Sequence, residues 1–294
     1  MSDISIIGSG VVGEVIGAGF EKLGYYVIFY DIDQERVDEF SERGLKSTSK
    51  IEEAINNSDV SFISVPTPTI NNEMDDTNIF NAIIEIAHVL KKKADYHTVV
   101  VKSTVIPGTT DSIIIPTLEK ESEKRVGKDI GVCVNPEFLT EIQKTWSDNT
   151  LFTRGFFNMD RIVIGEFDER SGDVVETLYK PLKKPVFRTD LRTAEMIKYA
   201  SNCALASRIS YWNEIHYICQ KLGIDSNYVA KVVGMDDRIG KYGTVHGKAF
   251  GGKCLPKDLK ALISLSEKLH HEPKLLKAVD EVNERIKRER GVRE

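Results

Sequence analysis

The segment Phe250-Gly251-Gly252-Lys253-Cys254-Leu255-Pro256-Lys257-Asp258 puts a cysteine where a thiolate can form. Pro256 fits the first turn of a helix, so Cys254 sits just before a helix N-terminus, where free N–H groups and the macrodipole favour an anion. Lys253 and Lys257 flank it and act in the same sense. A stabilised thiolate in an accessible loop is a nucleophile, whereas Cys203 and Cys219 lie in an apolar run of the kind that leaves a thiol inert. Asp258 comes four residues after the cysteine, one helical turn away. Gly251 and Gly252 let a substrate approach the backbone. The alternative is an incidental loop cysteine.

Two more pairs have the i, i+4 spacing that puts side chains on one helix face. Glu137 and Glu141 follow Asn135-Pro136, which is expected to start a helix at the end of a strand, where ligands bind in open α/β sheets. Lys198 and Asn202 fall on or beside the apolar stripe of a long helix. Taken alone, either pair fits a solvated face. A lysine and an asparagine beside a buried face can also donate to a developing oxyanion.

These groups need a scaffold, and the first half of the chain supplies a recognisable one. Residues 3–165 alternate β-branched runs with helical patterns, placing strands near 3–7, 26–30, 60–64, 97–101, 130–134 and 161–165. Gly8-Ser9-Gly10-Val11-Val12-Gly13 follows the first strand and opens a helix, the setting in which a GxGxxG string becomes a dinucleotide fingerprint. Asp31 ends the second strand, where a carboxylate accepts from ribose hydroxyls and would repel a 2′-phosphate. The expected cofactor is NAD, held by Gly8, Gly10, Val11, Val12, Gly13, Asp31 and Arg36.

From Leu191 to Leu222 the period is helical, with Met196, Tyr199, Cys203, Ile209, Trp212, Ile215 and Cys219 as the apolar stripe and Gly223 as the stop. Such a length predicts a partner along the helix, either a second domain or a second subunit. Shorter helices are expected near 226–233, 256–270 and 273–290, around a Gly-rich stretch at 239–253. The expected fold is thus α/β: a Rossmann-like doubly wound parallel sheet over residues 1–189, then an all-helical domain over 190–294 built on the long helix.

Composition narrows the function. With 294 residues, 41% hydrophobic and 29% charged, the chain can bury two cores, and its net charge of −5 disfavours nucleic acid as a partner. No apolar run is long enough for a membrane span and no signal peptide is evident, so a cytoplasmic protein is expected. Four cysteines without a CxxC indicate neither disulfides nor a metal site.

Together these segments resemble the UDP-glucose/GDP-mannose dehydrogenase family across essentially the whole chain. The likeness runs through Gly8 to Gly13, Val65-Pro66-Thr67-Pro68, Lys102 to Thr109, Asn135-Pro136-Glu137-Phe138-Leu139 to Glu141, Ile197-Lys198-Tyr199 to Asn202, Arg238-Ile239-Gly240 and Phe250 to Asp258. The resemblance implies that a nucleotide-sugar CH₂OH, UDP-glucose foremost, is oxidised to a carboxylate in two NAD-dependent steps. It implies that Cys254 attacks the intermediate aldehyde and that a thioester follows. Lys198 and Asn202 hold the oxyanion, Asp258 orders water near the thiol, and Glu137 assists hydrolysis. It also implies that Thr104 positions water or the nicotinamide end, that Thr67 contacts NAD, and that Glu141 is a supporting acid. Phe138 and Leu139 line the sugar site, Arg238 reaches the substrate of a neighbouring subunit, and Tyr242, Lys248 and Gly251 complete the substrate set. The expected assembly is a homodimer through helix 191–222.

The chain departs from the family after Glu141, where Ile142-Gln143 replace small residues, and in the loop carrying His246, Lys248 and Lys253. It also ends at Glu294, before the family's C-terminal nucleotide-binding domain is expected; Lys248 or Lys253 are then expected beside the diphosphate. Two other readings stay open. One is a β-hydroxyacid dehydrogenase, which needs no cysteine, and the other a catalytically impaired NAD-binding partner protein.

Overall fold

A computed structural model describes residues 2–140, 154–252 and 254–293. Glu141 and Lys253 therefore lie outside the described residues. In chain order the elements begin with β1 (Ile4–Ile7), α1 (Val11–Lys22), β2 (Val27–Tyr30), α2 (Gln34–Glu42), β3 (Ser47–Thr48), α3 (Ile51–Asn56) and β4 (Val60–Ile63). A short pair follows, β5 (Thr69–Ile70) and β6 (Glu73–Met74), then α4 (Thr77–Leu90), β7 (His97–Val101), α5 (Ile115–Ser122) and β8 (Ile130–Val134). Next come β9 (Ile162–Glu166), α6 (Glu169–Tyr179), β10 (Val186–Thr189), α7 (Leu191–Leu222), α8 (Ser226–Val233), β11 (Ala249–Phe250), α9 (Leu255–Lys268), α10 (Lys274–Arg290) and β12 (Val292–Arg293).

Two compact units result, and the division falls between Lys198 and Tyr199, inside α7. The first holds a sheet of order β10-β9-β8-β7-β4-β1-β2-β3. Strands β1, β2, β4, β7 and β8 are buried at every position, which requires cover on both faces and explains their near-continuous apolar sequences. The sheet is not wholly parallel as expected: β9 runs antiparallel to β8, and β10 pairs parallel with β9. Phe20 packs against Phe62, Phe156 and Tyr179 at centroid distances of 5.3, 5.1 and 5.1 Å. These rings tie α1 and α6 to the centre of the sheet.

The second unit contains Thr69–Met74 and the chain from Tyr199 onward. Cys203, Ala206 and Ile209 of α7 pack with Phe250, Leu259 and Val279, so α7, α9 and α10 share one core. The stripe expected along α7 holds at Tyr199, Cys203, Ile209, Trp212 and Cys219, but Met196 is exposed and Ile215 only partly buried. Nor is the unit all-helical. β11 pairs parallel with β12, and β5 with β6 antiparallel; each strand is two residues long, too short to show a period of two in sequence.

Inside the first unit runs a polar line among the strands. Ser5 Oγ lies 2.6 Å from Ser61 Oγ, Ser61 Oγ 2.7 Å from His97 Nε2, and Ser58 Oγ donates to Ser5 Oγ at 2.9 Å. Burial, reinforced by Lys93, pulls the His97 imidazole down to about 3. An unfolded histidine takes a proton near pH 6.5, so between about 6.5 and 3 the unfolded state binds a proton the folded state refuses. Stability from this group is therefore lost as pH falls through that window. Urea unfolding at pH 7 and pH 5 should show that His97→Gln loses about 2 kcal/mol less than the wild type over that interval. Equal losses would remove the role given to His97.

Candidate functional site

At the C-terminal ends of β1 and β2, Gly8 has φ +93 and a Cβ there would fall 2.8 Å from the Ser64 carbonyl oxygen. A Cβ on Gly13 would fall 2.1 Å from the Gly8 oxygen, so this pair requires glycine for the close turn between strand and helix. Gly10 is the N-cap of α1 with no side-chain cap, and beyond its α-carbon the space is open. Unclaimed helix-start N–H groups facing an open side are what a pyrophosphate needs. Val11 beside it is exposed and Val12 partly so.

Asp31 and Arg36 hold this turn from two sides. The Asp31 carboxylate accepts from Ser9 N–H at 2.8 Å and from Asp33 N–H at 3.1 Å. Arg36 Nε donates to the Ser9 carbonyl at 2.9 Å, while its terminal nitrogens pair with Glu14 at 2.6 Å and Glu39 at 2.5 Å. With its charge already met by two carboxylates, Arg36 is not available to a 2′-phosphate without breaking both pairs. The residues fit NAD.

A second cluster lies where β7 and β8 end. Glu137 follows β8, but residues 135–140 are irregular rather than the start of a helix. Pro136 removes a donor, and Glu137 folds its own carboxylate back onto Leu139 N–H at 2.6 Å. Lys198 of α7 donates to the Glu137 carbonyl at 2.5 Å and to Oε1 at 3.0 Å. Burial alone would raise the Glu137 carboxyl, but Lys198, the Leu139 N–H and Lys102 together hold it below the usual range. Lys102 and Asn135, residues not assigned a role from sequence, stand beside it with Nζ 2.8 Å from Asn135 Oδ1. A cavity here is lined by Lys102, Glu137, Phe138, Leu139, Arg161 and Tyr179, among others. Thr67 donates its hydroxyl to the Thr104 carbonyl at 2.7 Å, linking two of the expected residues through a backbone group.

In the second unit, Cys254 is the N-cap of α9, with Pro256 in the first turn and no side chain capping the helix. It is the partly exposed cysteine; Cys133, Cys203 and Cys219 are buried, and burial pushes the thiols of Cys133 and Cys203 up to about 12. Asp258, only 1% exposed, accepts from Asn202 Nδ2 at 2.6 Å and from Lys257 Nζ at 2.7 Å. The Lys257 charge, expected to favour the thiolate, is thus directed at Asp258. Lys198 and Asn202 share a helix, yet each has its own carboxylate: Glu137 for the lysine, Asp258 for the asparagine.

The Gly-rich stretch 239–252 is held by polar side chains that the sequence alone did not single out. Asn213 donates to the Lys248 carbonyl at 2.8 Å and accepts from Gly247 N–H at 2.7 Å. Asn283 does the same to Phe250, at 3.1 and 2.8 Å, and Arg208 donates to the carbonyls of Tyr242 and Ile239. Tyr242 packs on the core and the Lys248 side chain is exposed. Gly251 follows the Phe250 clamp directly. Arg238 is exposed and paired with Asp236 at 2.6 Å. Among the described residues no cluster of metal ligands occurs, and no helix is long and apolar enough to cross a membrane.

Residues 39–183 match the NAD binding domain of the UDP-glucose/GDP-mannose dehydrogenase family, and residues 192–285 match that family's central domain. A UDP-glucose 6-dehydrogenase of Haloferax volcanii is 36% identical over 96% of this chain and 69% of its own length. A GDP-mannose 6-dehydrogenase of Pseudomonas savastanoi is 38% identical over 94% of this chain and 66% of its own. The solved structure of a UDP-glucose dehydrogenase from Pyrobaculum islandicum superposes with a TM-score of 0.89 at 34% identity, covering 98% of this chain and 69% of that one. The chain thus spans about two thirds of the length of these relatives. The match to an NAD binding domain shows that the cofactor is NAD. Both domain matches, in the order the fold presents them, show that this chain belongs to the UDP-glucose/GDP-mannose dehydrogenase family, whose members are NAD-dependent nucleotide-sugar dehydrogenases.

Proposed function

We propose that this chain oxidises the CH₂OH of a nucleotide sugar, with UDP-glucose as its substrate, to a carboxylate in two steps through a covalent bond to Cys254. The observation that carries the reading is Cys254 at the uncapped N-terminus of α9. There the first-turn N–H groups favour the thiolate, where a buried site would favour the neutral thiol.

NAD, when bound, accepts a hydride in each of the two oxidations. The first converts the alcohol to an aldehyde, with the hydroxyl proton passing to solvent. The Cys254 thiolate then adds to the aldehyde carbon, giving a thiohemiacetal oxyanion, and loss of the second hydride from that carbon gives a thioester. Water attacks the thioester, the carbon–sulfur bond breaks, and the acid leaves with the thiol regenerated. In this reading Lys198 and Asn202 donate to the oxyanion. Asp258, held by Asn202 and Lys257, orders water, and Glu137, kept ionised by Lys198 and the Leu139 N–H, takes the proton of the attacking water. Thr104 and Thr67 serve the nicotinamide side, Phe138 and Leu139 line the sugar, and Tyr242, Lys248 and Gly251 carry the substrate loop. A diphosphate beside Lys248 is part of the proposal.

The reading includes a homodimer built on α7. Tyr211, Ile218 and Leu222 of α7 and Tyr228 and Val232 of α8, with Met235 after it, are exposed apolar side chains. A surface so apolar is a mark of an interface, and a two-fold pairing would let each Arg238 serve the other subunit's substrate.

Three measurements check these points. Cys254→Ser should bind NAD as the wild type does while forming no acid from UDP-glucose in a coupled product assay; acid at the wild-type rate would refute covalent catalysis. NAD should exceed NADP in kcat/KM by at least about tenfold, the factor carried by roughly 1.4 kcal/mol, and equal values would strip Asp31 of its role. Light scattering at micromolar concentration should give a dimer, with Tyr228→Glu shifting it toward monomer; a fully active wild-type monomer would count against the pairing.

A further inference from the structure

Lys102 is the one buried lysine in the first unit's cluster that the proposed chemistry leaves without a task. It follows β7 directly, at the carboxyl ends of the strands, and is 4% exposed. Its Nζ donates to Asn135 Oδ1 at 2.8 Å and stands 5.9 Å from the Tyr179 ring centroid. Asn135 Oδ1 already accepts the Tyr179 hydroxyl at 2.7 Å, and Asn135 Nδ2 donates to the Val163 carbonyl at 2.7 Å. The asparagine would keep a partner on each side without Lys102. Burying an amine is costly, and a methionine of similar length would fill the same volume without that cost. What an amine adds at this point is charge.

We infer that Lys102, bonded to Asn135 and lining the same cavity as Glu137, is a positioning residue for Glu137 that supplies a second cation and keeps Glu137 a carboxylate during thioester hydrolysis. The inference rests on the proposed hydrolytic role of Glu137. Among the described residues, the titratable groups around Glu137 are Lys198 from α7, Lys102 from the end of β7 and Tyr179 from α6. Arg161, just before β9, stacks on Phe138 at 4.1 Å. Burial pulls the Lys102 amine down to about 7, with Glu137 opposing the fall and Lys198 adding to it. Burial likewise pushes the Tyr179 phenol above its ordinary range, so it stays neutral. As pH drops through 7, Lys102 takes up a proton before Glu137 does. The new charge then opposes protonation of the carboxylate, and the base survives into mildly acidic solution.

The test is the rate of acid formation from UDP-glucose by the full chain at pH 8 and pH 6, in wild type, Lys102→Met and Tyr179→Phe. In Lys102→Met the drop from pH 8 to pH 6 should be at least about threefold larger than in the wild type, with KM for NAD unchanged. Tyr179→Phe, which removes the other donor to Asn135 but no charge, should keep the wild-type ratio. The Tm of Lys102→Met should equal or exceed that of the wild type, because the variant buries no amine. An unchanged pH ratio in Lys102→Met, an equal change in Tyr179→Phe, or a collapse of Tm would each assign Lys102 to architecture and overturn the inference. Failure of the wild type to form acid at any pH would instead overturn the proposed function, and this inference with it.

Discussion

A carboxylate taken out of water must find a cation and hydrogen-bond donors or give up its charge. Glu137 in the first unit and Asp258 in the second are such carboxylates, and the proposed chemistry is arranged around them. Glu137 is met by Lys198 and by the N–H of Leu139, Asp258 by Lys257 and by the amide of Asn202. Remove either lysine and a buried charge is left short of its counterion, which both destabilises the unit and alters the base or water-ordering group. The same lysine and asparagine that could donate to an oxyanion are therefore already committed to holding carboxylates. Oxyanion binding in the proposed reaction must exploit donors left over from those bonds or exchange one partner for another.

The Gly-rich loop shows a related economy. Only its end, β11, pairs as a strand, so Asn213, Asn283 and Arg208 reach in from α7 and α10 to meet other backbone groups of the loop. An asparagine side chain has the donor and acceptor of a peptide group and can bracket a residue as a strand neighbour would. Phe250 is bracketed in this way, which fixes the chain just ahead of Gly251 and the cysteine that begins α9.

Much of this was legible in the residues. Six strands came from β-branched runs, and the helix Leu191–Leu222 came from its period and from Gly223 as a stop. Gly8 to Gly13 with Asp31 gave the cofactor turn, and Pro256 gave the helix start after Cys254. What stayed hidden depends on partners far along the chain. Asn202 meets Asp258 across 56 residues, and Asn283 meets Phe250 across 33. Glu137 misled for a local reason: a proline followed by acids reads as a helix start, but here the glutamate satisfies its own loop. The antiparallel β9 was equally invisible, because strand direction is set by the connection and leaves no mark on an apolar run. Lys102 opens the Lys102–Thr109 segment with no sign in sequence of being buried, since a lysine reads as exposed by default.

In the proposed reaction one molecule of substrate is oxidised twice, the second time while bound to Cys254. The most direct measurement is the yield of NADH per UDP-glucose consumed, followed by absorbance with NAD in excess. Two NADH for each sugar nucleotide, with UDP-glucuronate as the product, is the predicted result. One NADH per sugar, with the product remaining at the aldehyde level, would contradict it.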